Sequence, residues 1–266
     1  MEILRTGQFY GNTNETRTLG SLTLTDTEYT QTNVDWHYHE NAYFTFLLDG
    51  RVLEGNKKET YHCTAGTLLF HHWQEPHYNF KPKGFTRGFH VELKPEWFLD
   101  FELDIGNLQG SIHLYNPQLK ALMYNVFKES KQDEGALAID TLLIELFTMA
   151  NKNEHRLSGK VPLWVPKVRD LLHDSLSHDW SLQDLSRQLD LHPVHLSRDF
   201  PRYFGCGIGK YIRTIRVQQS LSMMARENFS LTDIALDCGF ADQSHFIRSF
   251  KALHHITPMA YRKLLV

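Results

Sequence analysis

The 266-residue chain has only three cysteines, Cys63, Cys206 and Cys238. They are odd in number and widely scattered, with no Cys-x-x-Cys pair, which fits reduced thiols better than a disulfide framework. No apolar run approaches the roughly 18 residues of a membrane helix. The first ten residues carry one basic side chain, Arg5, and no apolar stretch of the kind a secretory signal needs. A cytoplasmic protein with no membrane partner is the expectation. There is also no repeat of fixed period and no overall excess of positive charge, the net formal charge being −3. What is present is a composition that folds, 41% hydrophobic and 22% charged, in a length that suits two domains.

The small net charge hides a split. Residues 160–266 hold 14 Lys and Arg against 10 Asp and Glu, a surplus of +4, and residues 1–159 carry −7. A polyanion would meet the second half.

The same division appears in the hydrophobic pattern. Between about Leu19 and Leu93, β-rich runs begin at Leu22, Tyr43, Thr67 and Phe89 and are broken by Gly50, Gly55, Gly66, Pro76 and Gly84. Many short strands separated by such turns predict a sandwich or small barrel. From Pro117 the period becomes helical, with Leu119, Leu122, Met123, Val126 and Phe127 on one face. After Asp133-Glu134-Gly135 a second helix carries Leu137, Ile139, Leu142, Leu143, Leu146 and Phe147, which predicts an antiparallel hairpin that caps the strands, forms a dimer interface, or does both. Asn151 to Pro162 is polar and aperiodic and reads as a linker. Helical pattern then fills the rest of the chain. The expected division is residues 1–113 as the β domain, 114–150 as the hairpin, 151–163 as the linker and 164–266 as an all-α domain.

The all-α part contains one kind of unit twice. In the first, Ser181 and Asp184 have capping-box spacing, so a helix starts at Leu182 and buries Leu182, Leu185 and Leu189. A turn at Asp190-Leu191-His192 leads to Pro193, which suits the first position of a helix because its missing N–H has no partner to lose there. This helix buries Leu196 and Phe200 and turns Val194, Ser197 and Arg198 outward. In the second unit Ile234 and Ala235 pack a short helix, Gly239 supplies the turn, and Asp242 caps a helix with Phe246 and Phe250 inside and Ser244, His245 and Arg248 outside. Side chains of these types read base edges or grip phosphates in a major groove.

The stretch Ile234 to Lys251, followed by Ile256-Thr257-Pro258 and Tyr261-Arg262, resembles the AraC/XylS family of transcription regulators over roughly residues 165–264. The resemblance implies two helix-turn-helix units joined by a long helix, about Ile208 to Arg226, containing Tyr211, Arg213 and Arg216. It implies base-facing positions at Val194, Ser197, Arg198, Ser244, His245 and Arg248. Three departures fall in the first unit: Asp190 replaces the usual turn glycine, His192 the usual capping serine, and Pro201 falls where the recognition helix should still run. A bent or short first recognition helix is therefore expected. His255 replaces a glycine before Ile256-Thr257-Pro258, a position histidine tolerates because it visits the left-handed region.

The β domain resembles the cupin-like sensor barrel of such regulators. His37 and His39 share one face of a strand, and Trp73 and His77 follow. In metal-binding cupins two such histidines, a following Glu and a later His hold the ion, but Tyr43 and Phe44 stand where the Glu belongs, and neither Glu40 nor Glu75 has the right spacing. Three readings stay open: core histidines satisfied by hydrogen bonds, a pocket for an unknown small-molecule effector lined by His37, His39, Tyr43, Trp73 and His77, or a metal site. The expected fold is α+β multidomain, a cupin-like β-barrel with a helical hairpin followed by a double helix-turn-helix domain. The expected function is a non-enzymatic, effector-responsive activator without a cofactor, binding double-stranded promoter DNA as a homodimer and contacting RNA polymerase. The competing reading is a metal-dependent cupin enzyme, against which the missing Glu speaks.

Overall fold

The β-rich runs become the central strands of a sheet covered on both faces. The computed structural model describes residues 1–105, 108–157, 162–224 and 229–265, which divide into two units, Met1–Asn151 and Lys152–Val266. In chain order the strands are β1 (Glu2–Leu4), β2 (Asn12–Leu19), β3 (Leu22–Glu28), β4 (Asn33–His39), β5 (Ala42–Asp49), β6 (Arg51–Asn56), β7 (Thr60–Thr64), β8 (Leu68–His71), β9 (His77–Phe80), β10 (Arg87–Leu93) and β11 (Ser111–His113). They form two sheets, β1-β4-β9-β6-β7 and β11-β8-β5-β10-β3-β2. The expected closed barrel is thus a cupin-like sandwich whose two sheets are not joined by strand pairing among the described residues.

The four runs legible in the sequence are β3, β5, β8 and β10, all in the six-stranded sheet. Strands buried on both faces read as nearly continuous apolar runs, and every residue of β5 from Ala42 to Leu48 is buried. Alternation then divides its side chains. Phe44 packs on Phe70, which meets Phe147, and Phe89 meets Phe127, so this face lies against the helical hairpin. Tyr43 and Thr45 point the other way. The outer strand β2, Asn-Thr-Asn-Glu-Thr-Arg-Thr-Leu, is almost wholly exposed and carried no apolar signal.

The hairpin is α2 (Pro117–Ser130) and α3 (Ala136–Leu157), preceded by a short helix, α1 (Pro95–Asp100), that the sequence analysis did not anticipate. Asn116 caps α2 by accepting from the Gln118 N–H. Leu119, Met123, Val126 and Phe127 are buried as expected, and Ile139, Leu143, Leu146 and Phe147 form the α3 stripe. Leu137, placed in that stripe from sequence, is 80% exposed at the first turn. The linker begins later than expected: Asn151 to Leu157 contains no Gly or Pro to interrupt the hydrogen-bond ladder, so α3 runs on to Leu157. The expected breaker, Ser158-Gly159, lies outside the described residues. A charged cluster fastens the hairpin to the sheet. The buried Asp26 accepts from Arg87 Nε and Nη2 at 2.8 and 2.7 Å and from Lys131 Nζ at 3.3 Å, just past the end of α2. Burial alone would raise the Asp26 carboxyl, but these two cations hold it below its usual range.

The second unit is helical: α4 (Trp164–Asp174), α5 (Leu182–Leu189), α6 (Pro193–Phe204), α7 (Ile208–Met224), α8 (Leu231–Asp237), α9 (Gln243–His254) and α10 (Pro258–Leu265). Val165, Val168, Leu172, Leu185, Leu196, Phe200, Tyr211 and Ile215 build one core. The expected long connecting helix is α7, and Arg226, its expected end, lies outside the described residues. Arg216 on α7 is buried and donates to the carbonyls of Leu176 and His178 at 2.8 and 2.9 Å. Arg262 donates to Met224 and Phe229 in the same way. Both arginines are therefore braces between helices.

Gly239, between α8 and α9, has φ +80, and a Cβ there would meet the Leu176 carbonyl oxygen at 2.7 Å. Both the turn and the packing need a residue without a side chain. Gly239→Ala is expected to destabilise this unit by about 2–3 kcal/mol or more, measured by urea denaturation; a change below about 0.5 kcal/mol would contradict the close approach.

Candidate nucleic-acid interface and histidine-lined cavity

Two helix pairs, α5–α6 and α8–α9, repeat one construction. Ser181 starts α5 by accepting from the Asp184 N–H, and Ser230 starts α8 with a full capping box in which Asp233 answers back to the Ser230 N–H. The role of Ser230 went unread, although Ser-x-x-Asp before an apolar run is its signal. Each recognition-type helix is capped as well. His192 Nδ1 accepts from the Val194 N–H at 3.3 Å, and Asp242 Oδ1 accepts from the His245 N–H at 2.6 Å. Asp190 and His255 take the left-handed conformation at φ 51 and 59, the positions where glycine is usual.

Of the two outcomes expected of Pro201, a bent or a short helix, the short one does not occur: α6 continues to Phe204 with Pro201 inside it. The ring removes one N–H from the ladder, but the stack of Phe200 on Phe204, at 4.1 Å, and the edge contacts of both rings with Tyr211 hold the last turn. The Gly205 N–H then bonds the Pro201 carbonyl at 3.0 Å and closes the helix.

Leu196 and Phe200 face inward on α6, Phe246 and Phe250 on α9, and all four are fully buried. Opposite them Val194, 62% exposed, Ser197 and Arg198 are open on α6, and Ser244 and Arg248 on α9. His245 is half-buried, edge-on to Phe240 at 5.3 Å. Arg198 is engaged along its own helix: Nε and Nη2 donate to Asp199 at 2.8 and 3.1 Å, and Nη2 lies 3.2 Å from His195 Nδ1. The pair is exposed and weakened by solvent screening, so a phosphate or guanine can take the guanidinium over.

In the first unit the register of β4 on β9 sets His37 directly opposite His77, and the alternation along β4 puts His39 on the same face. Ring centroids of His37 and His77 are 4.2 Å apart, and one ligating nitrogen from each of His37, His39 and His77 falls within 4.8 Å of the others. All three are buried. They line a cavity of about 40 Å³ with Tyr43, Glu54, His90 and Phe9. Tyr43 Oη donates to His77 Nε2 at 3.0 Å. Of the five residues grouped as a pocket from sequence, four meet here. Trp73 does not: it lies in the turn after β8, beside His72 at 4.1 Å and Phe98 at 6.4 Å, and does not line the cavity.

Glu54, His71 and His90 were missed. Glu54 on β6 is a buried carboxylate, 3.0 Å from His71 Nε2 and accepting from Asn79 Nδ2 at 3.2 Å. Burial works to raise its carboxyl, but the imidazoles of His71, His77 and His37 outweigh that and hold it at about 2. Nothing in the sequence near Glu54 announces it, since strand order alone brings β6 beside β9. His90 was legible in principle: between Phe89 and Val91, alternation turns it away from the helices. It is sandwiched by Phe9 at 3.7 Å and bonded to Tyr29 Oη and Thr45 Oγ1, both at 3.1 Å. Among the described residues no helix is long and apolar enough to cross a membrane.

Comparison with known proteins agrees with both halves. Residues 19–147 match the model of the AraC-like ligand binding domain, and residues 185–264 match a helix-turn-helix domain. The chain is 24% identical over 180 residues to the uncharacterized HTH-type transcriptional regulator YtdP of Bacillus subtilis, covering 67% of this chain and 23% of that protein. It is 30% identical over 88 residues to the regulatory protein PocR of Salmonella typhimurium, covering 33% and 29%. The chain thus spans less than a third of the length of these curated relatives. A crystal structure of apo ToxT from Vibrio cholerae aligns with 97% of this chain and 100% of its own at 16% identity and a TM-score of 0.42. The C-terminal domain of AraT, a response regulator from Geobacillus stearothermophilus, aligns with 40% of this chain and 88% of its own at 23% identity and a TM-score of 0.37.

Burial, with His71 nearby, lowers the His90 imidazole from 6.5 to about 3, and burial beside His255 does the same to His254 in the helical unit. In the unfolded chain both take up a proton near pH 6.5, while the folded chain resists until about pH 3. Stability is therefore complete above about pH 6.5 and falls as the pH drops, by about 1.4 kcal/mol per pH unit for each imidazole. Urea midpoints followed by near-ultraviolet dichroism should decline steadily from about pH 7 to about pH 5. Equal midpoints across that range would contradict the buried neutral state of these rings.

Proposed function

Because this chain belongs to the AraC family of helix-turn-helix regulators, we propose that it binds promoter DNA sequence-specifically through α6 and α9 and regulates transcription in response to an effector held by the β-rich unit. The observation that carries this reading is the duplication: two helices, each capped and seated on a turn, each exposing side chains opposite a buried Leu or Phe stripe. Val194 offers a methyl surface to thymine, Ser197 and Ser244 hydroxyls to base or phosphate, and Arg198, His245 and Arg248 donors for guanine or phosphate. The two helices enter successive turns of the major groove, roughly 34 Å apart. The α2–α3 hairpin serves as the homodimer contact, and occupancy of the β-rich unit alters that contact or the connection to the helical unit, which changes DNA occupancy or engagement of RNA polymerase. Activation in the cytoplasm, without catalysis, is the mode proposed.

Selection from random duplex DNA at physiological salt should enrich two boxes about one helical turn apart. No enrichment by the full chain, with or without divalent metal, would overturn specific reading. Arg248→Ala is expected to cost on the order of 1–3 kcal/mol of affinity and to relax preference at one position; an unchanged binding profile removes Arg248 from the interface. Asp199→Ala releases Arg198 and removes a negative charge, so fluorescence anisotropy should show binding up to about fivefold tighter, with the urea midpoint unchanged. Weaker binding would place Arg198 outside the contact surface.

A further inference from the structure

We propose that the effector site of the β-rich unit is a binding site for a divalent transition-metal ion of the Zn²⁺ type, held by His37, His39 and His77. This rests on the reading of that unit as the effector-binding one and names the chemistry it takes. Three observations carry it.

The first is convergence. The ligating nitrogens of the three histidines already lie within 4.8 Å of one another, on the paired strands β4 and β9. A tetrahedral ion needs them about 3.4 Å apart, and small ring tilts close the difference. The second is the state of the rings. His37 Nδ1 lies 2.8 Å from the Asp35 carbonyl oxygen and His77 Nδ1 3.0 Å from that of Glu75. A carbonyl only accepts, so both rings carry their proton on Nδ1, as metal-bound histidines do; the His77 Nε2 lone pair now accepts from the Tyr43 hydroxyl, which an ion would displace. His39 Nδ1 is buried without a hydrogen-bond partner among the described residues, a lone donor atom that a cation would satisfy.

The third is size and charge. A cavity of about 40 Å³ holds about three waters, whereas organic ligands occupy pockets of about 300 Å³ or more. The buried Glu54 carboxylate lines the same cavity and offsets a cation's charge. Lys81, which also lines it, directs its ammonium to the carbonyls of Pro82 and Gly84. Three protein nitrogens leave one coordination position for a further ligand, and the Tyr43 hydroxyl, now bonded to His77, stands next to it.

The test is made on the purified full-length chain, stripped with a chelator and titrated with Co²⁺ and then with Zn²⁺ against a chromophoric competitor. One equivalent should bind with a dissociation constant tighter than about 1 μM, and the Co²⁺ form should show visible bands of a low-symmetry nitrogen and oxygen site with no thiolate charge-transfer band. His37→Gln, His39→Gln and His77→Gln should each weaken binding by on the order of 100-fold or more, and His62→Gln, exposed on β7 and outside the cavity, should leave it within a few-fold. Should a variant fail to fold, the wild-type Co²⁺ spectrum, together with Zn²⁺ protection of the three histidines from acylation read by mass spectrometry, decides the matter. No tight equivalent, a thiolate band that puts the ion on cysteine, or binding that survives the triple variant would overturn the proposal. Metal binding is read with no DNA present, so its failure leaves DNA selection standing as a separate result, and the reverse holds too.

Discussion

The first unit depends on one constraint: the central strands of the six-stranded sheet are buried on both faces, and the period of two forces each strand to serve two environments. In β5, Phe44 and Phe46 belong to the face packed on the hairpin, while Tyr43 and Thr45 belong to the other. In β10, Phe89 and Val91 go with the helices and His90 with the cavity. The apolar face supplies the driving force for folding, at about 25 cal/mol for each Å² removed from water. That burial holds the polar, imidazole-rich face away from solvent, where unprotonated rings and a buried carboxylate can be maintained. A one-residue slip of β5 or β10 would exchange the two sets, so register and cavity chemistry are a single property.

The helical unit obeys an analogous rule with a period of 3.6. On α6 and α9 a narrow stripe of Leu and Phe is fully buried, and the remaining circumference is left to face a partner. The caps fix where each helix begins, and hence which side chains stand at its N-terminal end. Gly239 permits α8 and α9 to approach the α4–α5 connection, and Arg216 ties that connection to α7. The arginines of this unit therefore have two fates. Arg216 and Arg262 satisfy helix-end and turn carbonyls, while Arg198 and Arg248 remain at the surface.

Polar groups in the two units are treated differently for the same physical reason. Ser181, Ser230 and Asp242 sit at the surface, and their hydrogen bonds set geometry more than stability. The buried polar residues of the β-rich unit are costlier if left unpaired, and several around the cavity are linked: Glu54 with His71 and Asn79, Tyr43 with His77, His90 with Tyr29 and Thr45. Such a network has few alternative arrangements, which suits a site that responds to a change in its occupancy.

The sequence by itself determined the central strands, the helical hairpin, the paired helix-turn-helix units and the exposure of Val194, Ser197, Arg198, Ser244 and Arg248, whereas His245, expected outside, is half-buried against Phe240. Each of these rests on local periodicity, capping chemistry or a turn residue, which act between neighbours in the chain. It also placed His37 and His39 on one face of a strand. Only the tertiary structure decided that His77 completes them, because that depends on β9 pairing with β4. The same applies to Glu54, brought in by β6 beside β9, and to the exclusion of Trp73, which a turn after β8 carries toward Phe98. The survival of α6 past Pro201 likewise came from Tyr211 packing on Phe200 and Phe204. In each case the deciding contact joins residues distant in the chain, where pairing and packing, not local propensity, select the neighbour.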